Sequence, residues 1–202
     1  FGGGTAGVEY LAQSHESDVT LADNGRVAGS SLTLASSSSA GGGGRTFIDG
    51  ALDLLDLTVL GDAALAAGVD TQSFQLYDGD TVLAQTVGLV AGTSVTFDGL
   101  VDASSPGGQG LSTDTLGNTT VFNGRVGGVA PLAFLNVAGT ATINNTLDGQ
   151  DALVRTVGDQ TWGGALDILK DAAIETTADS TVRFGSTLDG PFDLQATLEL
   201  RL

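Results

Sequence analysis

The chain has no cysteine, no methionine, three prolines and a single lysine, Lys170, among 202 residues. Without cysteine there are no disulfide staples and no thiolate metal sites, so order must come from packing and backbone hydrogen bonding. Few prolines beside 31 glycines imply many tight turns and few rigid kinks. Basic side chains number only 7 against 24 acidic ones, a formal charge of -17. Such a surface repels nucleic-acid phosphates, anionic membrane leaflets and polyanionic polysaccharides. No apolar run approaches the roughly 18 residues of a membrane span, and a basic-then-apolar leader is also missing. Because the chain opens at Phe1, either a removed leader or a segment of a longer protein is expected.

What is present is alternation. Hydrophobic residues make up 41% of the chain, enough to bury a core. Ser31–Leu34, Leu55–Val59, Ser94–Phe97, Thr140–Ile143 and Leu194–Leu202 place Leu, Val, Ile, Phe or Ala at every second position, with Ser, Thr, Asp, Gln, Glu or Arg between. Period two, rich in Thr and Val and punctuated by glycine turns, reads as short β-strands. Residues 51–60 and 164–173 hold enough Leu and Ala to suggest helix, but they follow the same turn signal as the strands and are read as strands or broad turns. The acidic residues are dispersed beside Gly, Thr and Leu, as in a solvated rim of turns.

An aromatic residue followed by a tight turn recurs at Phe47, Tyr77, Phe97, Phe122, Trp162 and Phe184. The spacings correspond to one or two units of about 20–25 residues, which indicates stacked coils. The fold class expected is therefore all-β: a parallel β-solenoid, nine or ten coils forming a rod ~45 Å long at strand spacing. The six aromatics are expected to stack coil on coil as a structural column. The Asp-Gly and Asn-Gly pairs after them are expected to supply positive-φ corners. Residues 1–7 read as a flexible arm and 8–202 as one solenoid domain. The Ser/Gly-rich run 36–44 reads as an exposed loop or hinge, and 103–110 as a second, shorter loop.

From Gly92 to Leu202 the segments Val95-Thr96-Phe97-Asp98-Gly99, Thr119-Thr120-Val121-Phe122-Asn123-Gly124, Thr161-Trp162-Gly163-Gly164 and Val182-Arg183-Phe184-Gly185-Ser186 follow one another in the same pattern. This stretch resembles the repeats of filamentous-haemagglutinin-like exoproteins, giant bacterial surface adhesins. The resemblance implies right-handed parallel β-helices displayed outside the cell. It brings no catalytic residue with it.

Candidate chemistry is sparse. His15 sits in Ser14-His15-Glu16-Ser17-Asp18, yet residues so close in sequence cannot form a catalytic triad by themselves. Asp98/Asp102 and Asp189/Asp193 offer carboxylate pairs of the kind used in glycoside hydrolysis, but Asp before Gly is ordinary corner usage, and no enzyme is expected. Calcium is the most credible ligand, through Asp78, Asp80, Asp148 and Asp151 at corners of adjacent coils. The solvated-rim reading accounts for the same residues without a metal. Asn118-Thr119-Thr120 and Asn144-Asn145-Thr146 match the glycosylation sequon at a frequency expected by chance.

The ends carry more weight. A solenoid edge that is not capped is a template for another strand. The expected assembly residues are Phe1 on the arm and Leu198, Leu200 and Leu202 on the terminal strand. The function expected is a secreted, cell-surface structural subunit whose main partner is itself, stacking head to tail into a filament. The alternative is an adhesin module binding a surface glycan through loops 36–44 and 103–110.

Overall fold

In the computed structural model the described residues are 10–15, 19–21, 31–37, 45–145, 152–177 and 179–198, and every regular element among them is a strand. Three parallel sheets wrap one interior. The first face runs Tyr10–His15, Ser31–Ser37, Asp56–Leu60, Phe74–Tyr77, Ser94–Phe97, Thr119–Phe122, Thr140–Ile143, Leu166–Ile168 and Leu188–Asp189. The second runs Val19–Leu21, Thr46–Ile48, Ala63–Leu65, Thr81–Leu83 and Val101–Ala103, and resumes with Ala152–Thr156, Ala172–Thr176 and Leu194–Leu198. The third runs Leu52–Leu54, Val69–Thr71, Val87–Ala91, Leu111–Asp114, Leu135–Val137, Gln160–Trp162 and Val182–Phe184. The chain visits first, second and third face in turn, making a β-solenoid of about seven turns.

Among the described residues seven levels carry a third-face strand and nine a first-face strand, against the nine or ten coils expected, and the coils are unequal in length. One coil separates Leu52 from Val69, 17 residues on, whereas another separates Val126 from Val154, 28 residues on. Residues 51–60 and 164–173, the two segments with helical composition, hold strands on all three faces. Their apolar residues fill the interior: Leu52, Leu54, Leu57, Val59, Leu166, Ile168 and Ala172 are buried. Loop 104–110 is pinned rather than free. Gly107 N–H donates to Pro131 O (2.8 Å) and Ala133 N–H to Gln109 O (2.7 Å), while the Gln109 side-chain oxygen accepts from Ser105 N–H (3.2 Å). Of the expected hinge, Ser36 and Ser37 complete a strand; 38–44, like the arm 1–7, lie outside the described residues.

Parallel in-register pairing sets each inward residue on its counterpart one coil away. On the first face the column reads Val59, Tyr77, Phe97, Phe122, Ile143. Tyr77 and Phe97 stack with centroids 5.1 Å apart, Phe97 and Phe122 with 5.5 Å. The single column of six aromatics is corrected to a stack of three. Trp162 belongs to the third face, meets Phe122 edge-on at 6.4 Å, and pairs in register with Phe184. Phe47 lies on the second face between Thr20 and Ala64 and points outward, half-buried. The same aromatic-then-glycine chemistry serves more than one corner, so sequence spacing merged separate columns.

The corner glycines are corrected too. Gly79, Gly99 and Gly124 do not adopt positive φ; only Gly61 in this column does, at 89°. They stack on one another where the chain leaves the first face. A Cβ on Gly99 would overlap the Gly79 peptide and stand 2.6 Å from the Asp80 nitrogen. Close backbone approach, rather than handedness, demands glycine here. Gly88 faces open space on the third face, where a Cβ meets nothing within 4 Å. Gly99→Ala is therefore expected to cost about 2 kcal/mol by overpacking. Gly88→Ala is expected to stabilise by about 0.5 kcal/mol through the unfolded chain. Urea midpoints of the two variants measured side by side check the opposite signs.

Candidate functional site

The corner where the chain passes from first to second face holds Asp78, Asp80 and Asp98 of the residues singled out above. Its outer edge is a column of Asp and Asn. Asn123 Nδ2 donates to Asp98 Oδ1 at 2.7 Å, and Asn144 Nδ2 to Asn123 Oδ1 at 3.4 Å. One step along, carboxylates accept backbone N–H groups from the next coil: Asp62 Oδ1 from Asp80 at 3.1 Å, and Asp80 Oδ1 from Leu100 at 2.9 Å. The device recurs further along the same corner, where Asp171 accepts from Asp193 (3.1 Å), and at the corner from second to third face, where Asp159 accepts from Thr181 (2.8 Å). Sequence order explains it. A corner leaves a strand-entry N–H unpaired, and an Asp one coil earlier lies directly beneath it.

Asp78 and Asp80 are exposed and close in sequence. Asp148 and Asp151, the other proposed calcium residues, lie outside the described residues. Among the described residues no group of three or more His, Asp or Glu side chains is placed to hold a metal ion. Of the carboxylates considered for glycoside chemistry, Asp98, Asp102 and Asp189 have structural partners. Besides Asp98, Asp102 Oδ1 accepts the N–H groups of Val129 and Ala130, each at 3.0 Å, tying down loop 127–131. Asp189 Oδ1 accepts from Gly190 N–H at 2.8 Å. His15 ends a strand of the first face, and its side chain lies outside the described residues.

The last described coil differs from those before it. Its inward positions are Val182, Phe184, Leu188 and Leu194, paired on Gln160, Trp162, Leu166 and Ala172 of the preceding coil. Leu166 is 0% exposed, whereas Leu188 above it is 43% exposed, with Phe192 nearby in sequence at 44%. Leu198 closes the strand Leu194–Leu198, opposite Thr176. Its side chain, and Phe1, Leu200 and Leu202 entirely, lie outside the described residues.

Two buried glutamines escaped the sequence reading. Gln75 Nε2 donates to Val69 O (3.0 Å), Thr71 Oγ1 (3.4 Å) and Val90 O (2.8 Å). Gln160 Nε2 donates to Val154 O (3.4 Å), Thr156 Oγ1 (3.2 Å) and Glu175 O (2.7 Å). The partners stand at the same offsets: six and four residues before the glutamine and fifteen after. Both segments read Val-x-Thr-x-x-x-Gln-x-aromatic, at Val69–Tyr77 and Val154–Trp162. The amide spans a corner, bonding a carbonyl of its own coil and one of the next. That repeated spacing was the signal available. Tyr77 O–H donates to Gln75 Oε1 at 3.0 Å, and burial pushes its phenol well above the ordinary value near 10.

Two outcomes follow. Asp80→Ala should lose about 1 kcal/mol and Asp80→Asn almost nothing, since the amide oxygen still accepts the Leu100 N–H; a calcium ligand would lose as much with Asn, and its melting point would follow added calcium. For Tyr77 the acid form is favoured in the folded state. Its contribution is intact below pH 10 and falls as pH rises further, because the unfolded chain ionises first. Alkaline melting curves should show this decline, and Tyr77→Phe should flatten it. Compared with known proteins, the chain matches no family model, no curated protein and no solved structure.

Proposed function

We propose that this chain is a non-enzymatic structural protein of the cell exterior, a β-solenoid unit that extends by end-to-end stacking of coils. The observation that carries the reading is the exposure of Leu188 and Phe192 on a coil whose predecessor has its inward side chains, Trp162, Leu166 and Ala172, buried. Burying a large apolar side chain contributes about 1.5–3 kcal/mol, and a second copy placed in register would bury several together. Backbone groups of Leu194–Leu198, which among the described residues pairs only with Ala172–Thr176, would be paired on their other side in the same step. A head-to-tail contact of this kind does not close on itself, so it generates filaments.

Display outside the cell, and kinship with filamentous-haemagglutinin-like exoproteins, are supported by the likeness of the 92–202 repeats and by a cysteine-free, strongly acidic composition. The charge of -17 would hold neighbouring filaments apart through solution. Calcium enters this reading only as an ion that could soften that repulsion. The adhesin reading rests on the expected loops 36–44 and 103–110; the second is held by hydrogen bonds while Ser104, Ser105 and Pro106 remain exposed.

Negative-stain electron microscopy over a concentration series, with calcium and with chelator, tests the proposal. Filaments that lengthen with concentration are expected, and Leu194→Asp should abolish them while leaving the circular dichroism of the body unchanged. Short rods of one length at every concentration would remove end-to-end stacking and leave surface display through loop 104–110 as the better reading.

A further inference from the structure

The outward side chains of the first face form two columns, because each strand alternates and the ladder is in register. Over four consecutive coils the columns run from Phe74 and Leu76 to Thr140 and Thr142. The eight positions hold five Ser or Thr residues and three apolar ones, and none carries a charge. In a chain of -17 that is a marked clearing. Carboxylates frame it: Asp56 one coil before, Asp167 one coil after, and Asp78 and Asp98 along the adjoining corner. All eight side chains are half-exposed. The surface is also set in place, since Thr119 Oγ1 and Thr140 Oγ1 are 2.7 Å apart and Thr140 donates further to Asn118 O at 3.0 Å.

Size and charge decide what such a surface can bind. Four strands at about 4.8 Å spacing, with outward residues about 7 Å apart along each, cover only roughly 300 Å². A stable protein partner, a second copy included, needs about 800 Å² per side. An anionic ligand is opposed by the carboxylate frame. A neutral ligand with alternating hydroxyl and C–H surfaces meets none of these objections.

We propose that this four-coil clearing binds the flat surface of a neutral polysaccharide fibre. Sugar C–H faces would rest on Phe74, Leu76 and Val121, and sugar hydroxyls would exchange hydrogen bonds with Thr96 and its neighbours. The site lies on the side of the solenoid, so it is independent of end-to-end stacking. It also differs from loop 104–110.

Co-sedimentation of the full chain with microcrystalline cellulose and with chitin, and with alginate as the anionic comparison, tests it. The chain should pellet with at least one neutral fibre and not with alginate. Thr96→Asp, which places a carboxylate in the middle of the clearing, should weaken binding about tenfold or more through an unpaired charge at the contact. Thr96→Val should weaken it by a few-fold, while Asp70→Asn on the third face should leave it unchanged. Thermal melts identical to the parent chain would show that both Thr96 variants fold. Failure of the parent chain to pellet with either neutral fibre overturns the proposal, as does undiminished pelleting of Thr96→Asp. Concentration-dependent self-association in sedimentation velocity that disappears in Thr96→Asp would assign the clearing to a second copy, and would overturn it as well.

Discussion

Coil-to-coil hydrogen bonding in parallel register is the constraint on which everything else rests. It places each residue about 4.8 Å from its counterpart one turn away, so every position must tolerate a neighbour of the same kind in the same orientation. Glycine tolerates it at the crowded corner, as Gly79, Gly99 and Gly124 show. Aromatic rings do so by stacking, as in Tyr77, Phe97 and Phe122. Polar side chains do so by bonding along the column, from Asn144 through Asn123 to Asp98. The interior is less a single packed centre than a set of parallel rows, each with its own chemistry.

The acidity of the chain takes on a structural meaning in this light. Asp62, Asp80, Asp159 and Asp171 each accept a backbone N–H from the coil that follows. A carboxylate is short, accepts from several directions and stays solvated at a corner, which suits it to an N–H that no strand partner reaches. Part of the negative charge is thus a by-product of closing corners. The uncharged stretch on the first face stands out because it lies mid-strand, away from them.

Strand positions were largely legible. Ser94–Phe97 and Thr140–Ile143 have the boundaries that alternation assigns, because one side of each strand is wholly buried and the pattern has no freedom to drift. Which face a strand joins was not legible. An aromatic before glycine looks the same at the corner after Phe97 as at the corner after Trp162, though these leave different faces. Turn glycines suggested positive φ, since sequence shows the residue but not the backbone lying against it. Gln75 and Gln160 read as outward polar residues by type, and both are fully buried. Only the pairing of Val, Thr and aromatic positions around them betrays their role. Of the expected assembly residues, Leu198 alone falls within a described strand.

The second face has one discontinuity. Between Val101–Ala103 and Ala152–Thr156 its ladder narrows to single-residue bridges through Val126 and Leu132, while loop 127–131 folds outward under Asp102. The first and third faces continue across this level without a gap. Backbone hydrogen bonds still cross this level, among them Val101 N–H to Arg125 O at 2.9 Å and Val126 N–H to Leu153 O at 2.8 Å. In a stack stabilised mainly by nearest-neighbour contacts, extra residues can thus be accommodated in one turn without parting the coils on either side. An insertion at this level would lengthen the loop and leave the register of the faces beyond it intact.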